Sequence, residues 1–183
     1  MLRTLLLSLT LISASVFAGP KVAVNTNLGD FTLELNRDLA PITVANFLTY
    51  VADGSYDGSQ FHRVIPGFMA QGGGFDKAMN RLATRTPIVN EANNGLSNQA
   101  ATIAMARTQN PNSATRQFFI NFKDNPFLDY SARSAGYAVF GQVIEGFDVV
   151  QKMAQQPTAS KGGMQDVPVT PIIINKMTLI SEN

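Results

Sequence analysis

Apolar and polar residues alternate along much of the chain, a pattern typical of strands that bury one face. Val22 and Val24 are two positions apart, and after a turn at 28–30 the large apolar residues of 31–35 repeat with the same period of two. These two runs predict a β-hairpin. Further apolar stretches predict strands over 61–64, 102–106, 117–122, 137–143 and 172–180.

Two shorter stretches carry apolar residues at helical spacing instead. In the first, Pro41 sets the backbone angle of an opening turn and the pattern ends at 53–54. In the second, the pattern stops before Pro157. The predicted buried faces are Ile42, Ala45, Leu48 and Ala52 in the first helix, and Phe147, Val150 and Met153 in the second.

Many strands with two helices at separate points do not produce the regular strand-helix alternation of a parallel sheet, so an antiparallel barrel or sandwich is the expected fold class. Residues 76–102 lack regular periodicity and predict a long loop, a feature that is usually functional. The glycine run at 72–74 predicts a turn with positive backbone angles. No repeat or linker divides the chain.

The N-terminus has the layout of a secretory signal peptide. Arg3 supplies the basic start, residues 5–12 an apolar middle, and Ala18 a small residue at the cleavage point. The alternative is a retained membrane anchor, but the uncharged run is 17 residues long, shorter than the ~20 apolar residues of a spanning helix. We expect residues 1–18 to be removed and 19–183 to form one exported domain with no membrane span.

Composition excludes several function classes. Without Arg3 the chain carries 13 basic and 13 acidic residues and no basic cluster, so nucleic acid is not an expected partner. It has no cysteine and one histidine, His62, which excludes thiol catalysis, cysteine-ligated zinc and histidine-rich metal sites. Neither a Gly-x-Ser-x-Gly turn nor a nucleotide-binding glycine loop is present. We therefore expect no metal and no cofactor.

Candidate chemistry is concentrated in two segments. Residues 61–74 place Arg63 on a predicted strand, ahead of a Pro-Gly turn and a Phe-Met-x-Gln sequence. In the second segment, Gln117 and Phe119 share one face of a strand, and the residues that alternate with them share the other. One face is expected to form a pocket wall and the other to enter the core.

The chain resembles the cyclophilins, which are peptidyl-prolyl cis-trans isomerases, and most of all their bacterial periplasmic members. The resemblance covers roughly residues 22–180. It implies a closed eight-stranded antiparallel β-barrel capped by two α-helices, a periplasmic location, and proline-containing unfolded or newly exported polypeptides as substrates. The matching segments are FHRVIPGFMAQGGGF (61–75), NEANNGL (90–96), TIAMART (102–108), SATRQFFIN (113–121), PFLD (126–129) and GYAVFGQVIEGFDVV (136–150).

The same resemblance implies roles for individual residues. Arg63 corresponds to the catalytic arginine. Phe127 and Tyr137 stand where many members carry Trp and His, and because Phe127 lacks an indole N–H, we expect weak binding of the inhibitor cyclosporin. The implied substrate-binding residues are Phe68, Met69, Phe119 and Leu128 in the proline pocket, Gln71 as a polar contact, Ala106 and Arg107 at the residue before proline, Gln117 beside the groove, and Phe127 and Tyr137 at the two substituted positions.

These residue types suit a rotation that breaks no bond. Resonance in the Xaa-Pro bond creates a barrier of ~18–20 kcal/mol, and a fixed guanidinium can stabilise the twisted state in which the proline nitrogen regains its lone pair. Arg63 fits this role without a nucleophile or a base. Since no proton is transferred, His62 is expected to be structural and hydrogen-bonded near the barrel end.

Two functions remain open at this point. The first is an isomerase that accelerates Xaa-Pro rotation during the folding of exported proteins. The second is a non-catalytic proline-peptide-binding module or chaperone that uses the same groove. Arg63 favours the enzyme, because a pure binder could dispense with it. No heptad pattern predicts assembly, so a monomer is expected.

Overall fold

A computed structural model describes residues 19–182, so the predicted signal peptide lies outside the described residues. Within them, eight strands close into a barrel in the order β1-β10-β3-β4-β6-β5-β7-β2, and every neighbouring pair is antiparallel. The predicted barrel is confirmed. Its strands are β1 Lys21–Thr26, β2 Gly29–Leu35, β3 Ser59–Ile65, β4 Met69–Asp76, β5 Thr102–Met105, β6 Phe118–Asn121, β7 Val139–Glu145 and β10 Ile172–Ser181.

The elements outside the barrel are short. In the described part of the chain, the helices α1 and α2 span Pro41–Ala52 and Phe147–Met153, and neither is long and apolar enough to cross a membrane. A 3-10 turn covers Pro126–Leu128. A separate hairpin, which the apolar pattern did not predict, joins β8 Thr158–Lys161 to β9 Met164–Pro168.

The first hairpin closes the barrel. Each residue of β1 pairs with β2 on one side, for example Val22 with Leu33, while the other edge of β1 pairs with β10. Val22, Val24 and Phe31 are buried, so the alternation predicted there is correct. Because β1 and β10 come from the two ends of the described chain, the barrel forms only when both ends are in place.

The predicted buried face of α1 is wrong. Ile42 is 46% exposed, whereas Val44, Phe47 and Tyr50 are buried. Phe47 packs on Tyr56, with ring centroids 5.2 Å apart. Apolar residues of α1 lie on most sides of the helix, so periodicity alone could not identify the buried face. The larger aromatic side chains determine which face is buried.

The glycine run at 72–74 is not a turn. It lies within β4, which pairs with β3 and β6, and within the run only Gly73 has a positive φ, 81°. A Cβ on Gly74 would stand 2.5 Å from Cδ of Gln117. The glycines are therefore needed for the close approach of neighbouring side chains within a strand that the apolar pattern missed.

Two hydrophobic clusters lie on opposite faces of β6. Phe118 and Ile120 belong to the main core, which also includes residues of both helices. Phe119 belongs to a second, smaller cluster with Met69, Ala104 and Val139. The predicted division of this strand into a core face and an outer face is correct, and the outer face is the floor of the candidate site.

Candidate functional site

A surface cleft of about 190 Å³ lies above the smaller cluster. The strands β3, β4 and β6 and the segments after β5 and around the 3-10 turn bring its residues together from distant parts of the chain. Most of the residues predicted for the site line it. They are Arg63, Phe68, Met69, Gln71, Ala106, Arg107, Phe119, Leu128 and Tyr137.

The floor of the cleft is apolar. Met69 is 2% and Phe119 5% exposed, and they are held side by side because β4 and β6 are paired there. Phe68 and Leu128 are partly buried against the same cluster. This floor can hold a compact apolar ring such as that of proline.

Arg63 provides a cation at the wall. It lies on β3, and its side chain is 39% exposed. The Nε atom lies 3.7 Å from Oδ2 of Asp166 on β9. Among the described residues, the guanidinium forms no hydrogen bond with another side chain or carbonyl. Its Nη groups therefore remain available to a bound molecule.

Gln117 does not line the cleft but supports it. Its Oε1 atom accepts a hydrogen bond of 2.9 Å from Nε2 of Gln71. The pairing of β4 with β6 places Gln71 opposite Phe119, so the two amides lie along one edge of the apolar floor. The hydrogen bond fixes the Gln71 amide, whose own oxygen remains available as an acceptor.

Arg107 and Tyr137 form the wall beyond Phe119. The guanidinium carbon of Arg107 lies 4.4 Å from the centre of the Tyr137 ring, and its Nε donates to the carbonyl of Gly136 at 2.9 Å. Tyr137 meets Phe119 edge to face, with centroids 5.7 Å apart. A second cation is thus fixed in the cleft by stacking and hydrogen bonding.

Phe127 lies outside the cleft lining. Its side chain is 67% exposed, and its ring stacks on Phe68 with centroids 5.6 Å apart. The 3-10 turn that carries it presents Leu128 to the cleft and Phe127 to the rim. Phe127 can therefore extend the apolar surface, but it supplies no hydrogen-bond donor.

His62 is buried directly behind Arg63. It is 1% exposed, and its ring lies 4.6 Å from that of Phe75. Burial lowers the pKa of His62 to about 4, with the charge of Arg63 acting in the same direction and nearby groups of Gln60 and Gln117 opposing it. Its Nδ1 atom has no hydrogen-bond partner among the described residues. The burial of the ring agrees with the structural role expected for His62. The imidazole is neutral and does not face the cleft.

The long loop supports the site through polar contacts that composition did not predict. Nδ2 of Asn90 donates to the carbonyl of Ala135 at 2.8 Å, next to the wall formed by Tyr137. Nδ2 of Asn94 donates to the carbonyl of Val139 at 2.9 Å. The motif containing these residues therefore holds the backbone beneath the cleft and does not contact its interior.

A larger cavity of about 340 Å³ lies away from these residues. Its lining includes Glu34, Arg37 and Glu182 and none of the predicted site residues. Two of the lining residues, Arg37 and Glu182, form an ion pair at 3.1 Å. In residues 19–182, no three His, Asp or Glu side chains are grouped as a metal site requires. The smaller, apolar cleft is therefore the candidate site.

Sequence comparison identifies relatives along nearly the whole described chain. Residues 21–179 match the sequence model of the family described as cyclophilin type peptidyl-prolyl cis-trans isomerase/CLD. A peptidyl-prolyl cis-trans isomerase of Acinetobacter baylyi is 53% identical, with 94% of this chain and 92% of that protein aligned. The isomerase B of Escherichia coli K12 is 52% identical over 86% of this chain and 98% of that protein.

Structure comparison gives the same fold. A crystal structure of a cyclophilin type peptidyl-prolyl cis-trans isomerase from Cryptosporidium parvum superposes with a TM-score of 0.73 at 27% identity, covering 90% of this chain and 99% of that one. The same parasite protein, crystallised in the presence of the dipeptide Ala-Pro, also gives a TM-score of 0.73 at 28% identity, with 88% of this chain and 99% of that one covered.

Proposed function

The chain belongs to the cyclophilin-type peptidyl-prolyl cis-trans isomerases, and we propose that it rotates Xaa-Pro bonds in the cleft beside Arg63. The observation that carries this proposal is the combination, in one cleft, of an apolar floor and a guanidinium whose Nη groups are available. The floor suits the proline ring, and the guanidinium suits the polar atoms of the rotating bond. The Ala-Pro dipeptide used with the parasite relative is of the same chemical class.

Catalysis requires stabilisation of the twisted bond. At the top of the ~18–20 kcal/mol barrier the amide resonance is lost, and the proline nitrogen becomes pyramidal and able to accept a hydrogen bond. An N–H group of Arg63 directed at this nitrogen binds the twisted state better than either planar isomer. Binding that is stronger in the transition state is what accelerates a reaction.

The apolar floor holds one side of the rotating bond in place. Met69 and Phe119 hold the pyrrolidine ring, while the carbonyl of the preceding residue is free to turn. The Gln71 amide, fixed by Gln117, is placed to contact the substrate backbone at the edge of the floor. All cleft residues come from one chain, so we expect a monomer to be active.

We further propose that the substrates are unfolded or newly exported polypeptides in the periplasm. The N-terminal sequence, with Arg3, an apolar middle and Ala18, supports export. Uncatalysed Xaa-Pro isomerisation takes tens to hundreds of seconds and can limit folding. An isomerase located where exported chains fold would remove that delay.

The catalytic proposal is tested by the cis-to-trans rate of a short, uncharged Xaa-Pro peptide. Arg63→Ala should lower kcat/KM by ~10²–10³, the usual cost of removing one preorganised electrostatic donor. Arg37→Ala, which removes an exposed arginine paired with Glu182 elsewhere on the surface, should leave the rate unchanged. A native rate in folded Arg63→Ala would overturn the proposed role.

The non-catalytic alternative, a proline-binding module, makes the opposite prediction. Such a protein would bind the peptide without accelerating its rotation, and Arg63→Ala would change affinity alone. The relatives from Acinetobacter and Escherichia are named for the isomerase activity, which favours the enzyme.

A further inference from the structure

Among the described residues, Arg63 forms one ion pair, with Asp166. The Nε–Oδ2 distance is 3.7 Å, and both side chains are a little more than one-third exposed. The carboxylate therefore approaches the guanidinium at Nε, while the terminal edge, which the two Nη groups form, points away from Nε. An arginine that must direct its Nη groups at a substrate would be oriented in this way.

An irregularity in the pairing of β8 with β9 lies at Asp166 and affects the direction of its side chain. Lys161 pairs with Met164, and Ala159 pairs with Val167, so two residues of β9 lie opposite the single residue Ser160 of β8. This is a β-bulge, a feature that changes the direction of a side chain and is common next to active sites. Asp166 is the second of the two residues that face Ser160.

The conformation of Asp166 supports the same conclusion. Its φ is 59°, in the left-handed region that is unfavourable for residues other than glycine and is tolerated best by Asn and Asp. Glycines occupy two neighbouring positions of this hairpin, Gly162 and Gly163, so a glycine would be expected at 166 if only the backbone mattered. An Asp in this conformation points to a use for the carboxylate.

The hairpin that carries Asp166 is anchored to the barrel. Val167 is 2% exposed and Pro168 is also buried, and β9 packs against β3, the strand of Arg63. At its base, the N–H of Val169 donates to the carbonyl of Pro157 at 2.9 Å. The carboxylate is thus held by a fixed element and does not depend on a mobile loop.

We propose that Asp166 is a positioning residue that holds the Arg63 guanidinium in its catalytic orientation. An arginine side chain has several rotatable bonds and loses considerable conformational freedom when it is fixed. Arg63 has no hydrogen bond that fixes it, so the ion pair with Asp166 restricts its rotamers before substrate binds. The inference rests on the proposed catalytic role of Arg63.

Two variants of Asp166 separate positioning from stability. Asp166→Asn removes the charge but keeps the shape and the tolerance for a positive φ, and it should lower kcat about two- to five-fold, the range expected for loss of a half-exposed ion pair. The Kd of an uncharged Xaa-Pro peptide should not change. Asp166→Gly should lower kcat at least as much, yet leave Tm unchanged or raise it, because glycine adopts this backbone freely.

Asp148→Asn is the matched control. Asp148 forms an exposed ion pair with Lys152 on α2, at 3.1 Å and outside the cleft. Its replacement should change neither kcat nor Kd. In an Arg63→Ala background, Asp166→Asn should cause no further loss, because the two residues act as a unit.

The other possible results of these measurements would each contradict one part of the proposal. A native kcat in both Asp166 variants, a kcat loss that follows a fall in Tm, or a further loss in the Arg63→Ala background would overturn the positioning role. A large loss in Arg63→Ala together with native Asp166 variants would overturn this inference alone. A native rate in Arg63→Ala would overturn the proposed function itself.

Discussion

The rim of the cleft ends at Phe127, an exposed ring without a polar atom. Because this side chain cannot donate a hydrogen bond to an inhibitor carbonyl, we expect cyclosporin to bind with a Kd well above the nanomolar range. Phe127→Trp should tighten binding roughly five- to ten-fold, the value of about one hydrogen bond. Isothermal titration of both proteins measures the difference, with Phe127→Leu as a control that adds no donor.

Nanomolar binding by the native protein would contradict this account of Phe127. Peptide isomerisation, in contrast, should be nearly the same in the native protein and in Phe127→Trp. The floor of Met69 and Phe119 is unaffected by the change, and Phe127 lies outside the cleft lining.

His62 makes the stability of the protein depend on pH. Its pKa is about 4 in the folded state against 6.5 for an unperturbed histidine, so the unfolded chain takes up a proton first. Stability should therefore fall as the pH is lowered from about 6.5 to about 4, by roughly 3 kcal/mol at most. The pKa values of Asp53 and Asp76 are lowered from 3.8. These carboxylates therefore lose their contribution to stability only below the pH range in which His62 takes up its proton.

Urea unfolding of the native protein and of His62→Gln at pH 7 and at pH 4.5 isolates the histidine contribution. The native protein should lose stability between these pH values, and the variant should lose markedly less. Equal losses in the two proteins would show that His62 does not titrate as its burial requires.

At the residue scale, the long motifs identified the cleft lining because pocket residues such as Met69 and Phe119 lie inside them. Alternation correctly divided Phe118 from Phe119, since β6 has two buried faces. The sequence offered no comparable signal for Asp166. Its importance depends on a bulge and on a neighbour from β3, about a hundred residues away in the chain.

At the element scale, α1 begins without a capping side chain of its own. Ala40 occupies the N-cap, and Glu91 from the long loop takes over this function. The Glu91 carboxylate accepts hydrogen bonds from the backbone N–H groups of Ile42 at 3.1 Å and Thr43 at 2.8 Å, and from the Thr43 hydroxyl at 2.6 Å. A negative charge at this end of a helix is also favoured by the helix dipole.

Glu91→Ala should therefore lower the free energy of unfolding by about 1–2 kcal/mol, the usual cost of losing an N-cap. Glu91→Gln, which keeps an acceptor but no charge, should lose less. Glu145→Ala removes an exposed carboxylate with a single hydrogen bond to Thr32 and should change little. Chemical denaturation measures all three variants, and an unchanged stability in Glu91→Ala would contradict the capping role.

The strands and helices could be predicted where one period dominated the local sequence. The hairpin of β1 and β2 alternates cleanly, whereas β4 contains three glycines in a row and offers no side-chain pattern. The β8–β9 hairpin was missed for a related reason, because its residues are mostly exposed and only Val167 and Pro168 are buried. Glu91 is a capping residue only through a contact between distant parts of the chain.

At the scale of the whole molecule, the barrel accounts for the cleft. Strands β4 and β6 are separated in sequence by the long loop and by β5, yet they are neighbours in the closed sheet. Closure through β1 and β10 fixes the curvature of the sheet. This curvature places Arg63, Phe119 and Tyr137 close together. Composition could exclude whole classes of function, but only the folded barrel brings these residues to one surface.

Export is the prediction that concerns the whole chain. If residues 1–18 are a signal peptide, the protein recovered from the bacterial periplasm should begin at Gly19, and Arg3→Glu should slow its export. N-terminal sequencing of the periplasmic and cytoplasmic fractions measures both effects. A full-length protein retained in the cytoplasm would contradict the proposed location, but not the isomerase activity.

The central claim, that the fixed guanidinium of Arg63 catalyses the rotation, is tested most directly by Arg63→Lys. Lysine keeps the charge but lacks the planar set of N–H donors. NMR exchange spectroscopy on an uncharged Xaa-Pro peptide gives both the isomerisation rate and the Kd. We predict a fall in rate approaching the ~10²–10³ expected for Arg63→Ala, with little change in Kd. A native rate in folded Arg63→Lys, or a loss explained entirely by weaker binding, would contradict the account.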